Sequence, residues 1–155
     1  MDIENLLRLL KENKVKFVVI GASAFPVYGY SRTTLDTDIF IESTKSNAAR
    51  CLQSLKEFGY DTADITIEDL LSKKLLIRQY LVEIDIHPFV AGVSFKNVWK
   101  NKVKDKIGKT EVYFASLDDL IKMKRAVKRR KDKEDLRILL ELKKRQNLMK
   151  INEKI

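Results

Sequence analysis

The sequence predicts an α/β fold of the α+β kind: a small mixed β-sheet flanked by helices, with further helices at the C-terminus. Three observations carry this expectation. Short apolar runs at 16–20 and 38–42 sit between segments of helical periodicity. Val82, Ile84 and Ile86 alternate with Glu83, Asp85 and His87, the period of a half-buried strand. Helical spacing of apolar residues then returns over 116–149.

Taken in order, residues 2–13 place Ile3, Leu6, Leu7 and Leu10 at helical spacing, and Asn13-Lys14 is a polar stop. Residues 16–20 are continuously apolar and rich in β-branched side chains, as in a central strand covered on both faces. A helix is expected over 22–27, with Pro26 tolerated in its first turn, then a loop over 28–35 built on Gly29, Ser31 and Thr33-Thr34. The second strand is expected at 38–42. Residues 46–58 form a helix with Ala49, Leu52, Leu55 and Phe58 on one face and Gly59 closing it. A short helix over 67–74 turns Ile67, Leu70 and Leu71 inward, and 75–89 is strand-like until Pro88. Val98 and Trp99 make a small core patch after a loop at Gly92. Residues 102–107 and 110–114, around Gly108-Lys109, read as a β-hairpin. Ser116-Leu117-Asp118-Asp119 is a capping-box start for a helix to about 127. Arg129-Arg130-Lys131 is a basic joint, and a last helix over about 132–149 carries Leu136, Leu139, Leu140 and Lys143 on one side.

Length and composition bound the function classes. At 155 residues the chain is expected to be one domain over 1–150, with 151–155 a frayed tail. A 45% hydrophobic and 34% charged composition allows a core and argues against disorder. The net charge of +9 suits polyanionic ligands such as nucleoside triphosphates, RNA or DNA, and equally suits a solvated basic surface. The single cysteine, Cys51, excludes an internal disulfide framework and is expected buried on its helix. The acidic opening Met1-Asp2-Ile3-Glu4 is unlike a secretory leader, and no apolar run reaches membrane-spanning length, so a soluble, cytoplasmic protein is expected.

The chemistry concentrates in 17–41. The strand breaks at Gly21-Ala22-Ser23, where small residues let a phosphate approach backbone N–H groups. After 12 further residues comes Asp36-Thr37-Asp38. On a strand Asp36 and Asp38 share a face, so their carboxylates repel and call for a cation, most simply magnesium carrying a nucleotide. A third acid, Asp85, lies on a separate strand, and if the two strands are neighbours all three carboxylates converge. Such a trio suits two-metal phosphoryl transfer. Asp36 and Asp38 would hold both ions, and Asp85 one, with the acceptor's proton passing to Asp85. Gly21 and Ser23 would bind the β- and γ-phosphates. His87 shares the Asp85 face and is read more readily as structural than as functional. Tyr28 and Tyr30, which flank Gly29, are read more readily as packing residues than as base-stacking ones.

This ordered set of residues resembles the minimal nucleotidyltransferases of the DNA polymerase β-type superfamily, with their G-[GS]-[ST] turn, D-x-D pair and third Asp on a later strand. The resemblance covers about residues 15–140 and is nearest to small prokaryotic members, including those of abortive-infection and toxin–antitoxin systems. It places Gly21, Ala22 and Ser23 at the nucleotide turn and Asp36, Asp38 and Asp85 as catalytic and metal-binding acids. Arg32 matches a basic residue before the pair, and Lys124 with Arg130-Lys131-Asp132 resembles the branch's helical K…R-x-D motif. Ala22 departs from the pattern, which often has a second glycine there. The resemblance implies two Mg²⁺ ions, with Mn²⁺ as an alternative, and transfer of NMP from ATP or another NTP with release of pyrophosphate. The acceptor hydroxyl would belong to RNA, a protein or a small molecule such as an aminoglycoside. Lys124, on a partly apolar helix face with Leu117, Ile121 and Lys128, either reaches phosphate in a cleft or lays its stem along that face. Two alternatives stay open: a non-catalytic nucleotide- or nucleic-acid-binding module, and one half of a toxin–antitoxin pair whose partner protein masks the cleft.

Overall fold

The computed structural model describes residues 2–32 and 34–153. Among these residues lie six α-helices and six strands. Helix α1 spans Ile3–Glu12 and β1 Phe17–Ile20, followed by β2 (Asp36–Ile41), α2 (Lys45–Phe58) and α3 (Ile67–Ser72). Strands β3 (Leu75–Ile77) and β4 (Glu83–His87) precede α4 (Phe95–Asn101), β5 (Val103–Ile107) and β6 (Thr110–Phe114), and α5 (Leu117–Ala126) and α6 (Arg130–Glu153) end the chain. The strands form one mixed sheet in the order β3-β4-β2-β1-β6-β5. Strands β2 and β4 run parallel, as do β1 and β6, while the remaining neighbours are antiparallel.

The central strands are central because their sequences are apolar on both faces. All four residues of β1 are buried, as are Ile39, Phe40 and Ile41 of β2. Helix α1 buries Leu6, Leu7 and Leu10 and is capped by the Asp2 side chain, which accepts from the Asn5 N–H. Helix α2 ends at Gly59, whose φ of +109° is the left-handed conformation of a helix stop. Its buried Asn47 ties the helix to the sheet, accepting from the Lys16 N–H at 2.7 Å and donating to the Glu42 carbonyl at 2.8 Å. Cys51 is buried, which pushes its thiol pKa up to about 12. No helix among the described residues is long and apolar enough to cross a membrane.

Several elements differ from the sequence expectation. Residues 22–27 are not an α-helix but lie within two 3₁₀ turns, Gly21–Ser23 and Phe25–Tyr28, with Pro26 at the start of the second. Strand β2 begins at Asp36 rather than 38, because it pairs with β4 from that residue onward. Helix α2 buries Ala48, Cys51, Leu55 and Phe58 and exposes Ala49. The strand-like run 75–89 is two strands separated by 78–82. Val98 and Trp99 belong to a helix, α4, too short to show periodicity. At α5 the cap is half a capping box: Ser116 accepts from the Asp119 N–H, while Asp119 turns to the Asn101 side chain. Lys128 falls beyond α5 rather than on the Lys124 face. Arg130 and Lys131 are the first residues of α6, not a joint, and the helix continues through 150–153, where fraying is expected. Residues 154 and 155 of that tail, and Thr33 of the expected loop, lie outside the described residues.

Candidate active site

The sheet places the acids. Asp38 of β2 pairs in register with Asp85 of β4 on one side and with Ile20, the last residue of β1, on the other. The two carboxylates therefore stand side by side where β1 gives way to the Gly21 turn. Asp36 is two residues earlier on the same face, in register with Glu83. Gly21 has φ +66°, and a Cβ built there would lie 2.8 Å from Asp38 Oδ2. The carboxylate fills the space a side chain would take, so only glycine fits. Ala22 carries its methyl without strain, since Lys14 and Tyr80 are the non-glycine residues with positive φ among those described.

Basic side chains close over these acids. Arg78, just after β3, sets Nη1 2.6 Å from Asp85 Oδ1, Nη2 3.3 Å from Asp36 Oδ2 and Nε 3.6 Å from Glu83 Oε2. The hydrogen bond to Asp85 raises its already high pKa. Lys74 Nζ lies 3.8 Å from Asp85 Oδ2. His87, two residues beyond Asp85, brings Nε2 to 2.8 Å from Asp38 Oδ1. Ligand atoms of Asp38, Asp85 and His87 all lie within 4.8 Å of one another, a group able to hold a metal ion. Asp36 stands outside that group and faces Arg78 instead. Hard carboxylate oxygens and one imidazole, set beside a glycine turn that leaves room for Asp38, are a donor set that fits a divalent cation.

The opposite wall is a second charged cluster. Lys124 of α5 donates to Asp132 at 2.8 Å and lies 3.1 Å from Asp135, both on α6 and both buried. Arg129 caps Asp132 at 2.6 Å, and Arg32 reaches Asp135 at 2.9 Å. Burial alone would raise the Asp132 pKa, but the hydrogen bonds from Arg129 and Lys124 outweigh it and the carboxyl sits at about 2. Arg32 Nε is buried with no hydrogen-bond partner among the described residues. Tyr30 stacks on Phe25 at 5.2 Å and donates to Asp135, and Tyr28 donates to the Ala115 carbonyl. Both tyrosines thus pack within the protein.

Between the walls lies a cleft of about 400 Å³. It is lined by Gly21, Ala22, Arg32, Asp36, Asp38, Asp85 and Lys124, together with Lys74, Arg78, Arg129 and Lys131. The sequence-predicted acids, the first two turn residues and both predicted basic residues are therefore brought together. Ser23 is half-buried on the same turn and does not line this cleft. Arg78 and Lys74 join the site from outside the sequence-predicted set. Their signal is weak, since a base meets Asp85 only through the β3–β4 register that sets Leu76 opposite it. Asp132 and Asp135 had a readable signal: they share the helical face of Leu136 and Leu139, and carboxylates on an apolar stripe must be paired.

A family model described as "Nucleotidyl transferase of unknown function (DUF2204)" matches residues 1–155. The chain belongs to that family. No curated protein matches the chain. Membership in a nucleotidyl transferase family agrees with the geometry just described: adjacent carboxylates on parallel strands, a glycine turn against them and a cleft rich in basic side chains.

Proposed function

We propose that the protein is a magnesium-dependent nucleotidyltransferase that moves a nucleoside monophosphate from a nucleoside triphosphate to an acceptor hydroxyl. The acceptor oxygen bonds to the α-phosphorus, the bond from that phosphorus to its bridging oxygen breaks, and pyrophosphate leaves. The hydroxyl proton passes to a base. One observation carries the reading: Asp38 and Asp85 stand in register on β2 and β4 beside a glycine whose missing side chain makes room for Asp38.

Asp36, Asp38 and Asp85 would hold magnesium, with two ions expected and manganese the alternative. Its chemistry there is neutralisation of phosphate charge and a lowered pKa for the acceptor hydroxyl. The chain's own residues do the rest. The Gly21-Ala22-Ser23 turn admits the phosphates to backbone N–H groups. Arg32 and Lys124, held by Asp135, set fixed positive charge on the facing wall. His87 orients Asp38, and Asp85 takes the proton from the acceptor. We take residues 1–150 as one domain working in the cytoplasm. RNA is the acceptor to test first, since the +9 net charge and the basic cleft residues favour a polyanion over a protein or a small molecule.

Calorimetry of Mg²⁺ with ATP, GTP, CTP and UTP tests the site. At least one triphosphate is expected to bind wild type and to lose its affinity in Asp36→Ala/Asp38→Ala. Triphosphate binding that survives in the double variant would contradict the assignment and favour a non-catalytic module.

A further inference from the structure

Arg78 touches more carboxylates than any other base in the cleft, and two of them, Asp36 and Asp85, belong to the acids proposed to hold the metal. Its three contacts reach Asp85 of β4, Asp36 of β2 and Glu83, so one guanidinium spans two neighbouring strands. Three further oxygens of these acids are also engaged. Asp36 Oδ1 is 3.3 Å from the Thr34 hydroxyl, Asp38 Oδ1 faces His87, and Asp85 Oδ2 faces Lys74 at 3.8 Å. Lys74 therefore shares the neighbourhood of the acids without the short contacts.

The segment carrying Arg78 suits a side chain that leaves while its backbone stays. Ile77, the residue before it, is buried in the core. Gln79, the residue after it, is tied to Asp61 twice: its side-chain oxygen accepts from the Asp61 N–H at 2.7 Å and its amide donates to the Asp61 carbonyl at 2.9 Å. Tyr80 then takes φ +58°. Between these fixed points the Arg78 side chain is 42% exposed, so it can swing out without opening the core. A divalent cation and a guanidinium cannot both take the same oxygens of Asp36 and Asp85, and their like charges repel at contact distance.

We infer that Arg78 is the exchangeable counter-ion of the metal site: it neutralises Asp36 and Asp85 until a divalent cation displaces it. This rests on the proposed metal-dependent function. The apparent metal affinity is then set by the fraction of molecules in which the acids are free of Arg78. If that fraction is near one-tenth, removing the guanidinium tightens metal binding roughly tenfold.

The test titrates Mn²⁺ alone, following the free ion by electron paramagnetic resonance, into wild type, Arg78→Gln, Lys74→Gln and Asp38→Asn. Arg78→Gln is expected to bind about tenfold more tightly than wild type, and clearly more tightly than Lys74→Gln, which removes the same charge from the same cleft. In wild type, Mg²⁺ is also expected to shift one arginine Nε–Hε resonance, the one missing from Arg78→Gln, with the midpoint of metal binding. Equal affinity in wild type and Arg78→Gln, or equal gains in Arg78→Gln and Lys74→Gln, would overturn the exchange while leaving the metal site in place. Mn²⁺ binding unchanged in Asp38→Asn would overturn the metal reading and the exchange with it.

Discussion

The two walls of the cleft are both built from aspartates and bases, yet they differ in what they leave to solvent. On the helix wall, Asp132 and Asp135 are buried and Lys124 is 12% exposed, while Arg129 and Arg32 reach this buried centre from a more exposed rim. On the sheet wall, Asp85 is also buried, but its partner Arg78 stands half in water, and Asp36 and Asp38 are only half-buried. A buried cluster that loses one member leaves an unpaired charge in a poor solvent, so it acts as a fixed lock between α5 and α6. A half-exposed cluster can trade one cation for another at small cost. The first kind of wall holds the cleft's shape, and the second is where a ligand can enter.

The largest expected difference between the walls is in stability. Asp132→Asn should cost about 3 kcal/mol, because Lys124 keeps its charge and loses a buried partner. Asp38→Asn should change stability by less than about 1 kcal/mol, because it relieves repulsion from Asp36 and Asp85. Denaturant melts of the two variants check this. Equal losses would erase the distinction between lock and exchange site.

A smaller effect sharpens the same contrast through pH. The Asp132 pKa is lowered to about 2 in the folded protein. An unfolded aspartate titrates near 3.9, so the unfolded state takes up the proton first as pH falls. This stabilisation is complete above about pH 4 and is lost as pH drops toward 2, a change of about 2 kcal/mol. Asp132→Asn should show a shallower acid slope than wild type in denaturation series over that range. An unchanged slope would mean that Asp132 does not carry the acid sensitivity.

Much of the sheet wall was legible in the sequence. Asp85 lies between Ile84 and Ile86, so it had to face away from them, and period two alone placed Asp36 with Asp38. Gly21 and the acids were readable as an ordered set. What was not legible depends on register between distant strands. That β3 stops at Ile77 and aims Arg78 at Asp85 and Asp36 follows from pairing, not from any local pattern. The contact between His87 and Asp38 likewise needs β2 and β4 to run parallel. On the helix wall, the sequence leaves Lys124 two alternatives, phosphate or an apolar stem, and the structure adds a third in the buried Asp132 and Asp135. The sequence predicts a helix over 22–27 with Pro26 in its first turn, whereas Gly21 at positive φ and Gly29 in the left-handed conformation bracket the tighter path of two 3₁₀ turns.

Nucleotidyl transfer at these acids is directly observable. The most direct measurement incubates the protein with Mg²⁺, the four α-phosphate-labelled nucleoside triphosphates and cellular RNA, and follows covalent label. Label is expected on RNA with wild type, with a loss of roughly 100-fold or more in Asp38→Asn. Equal labelling by both proteins, or no covalent label from wild type on RNA, protein or small acceptors, would contradict it.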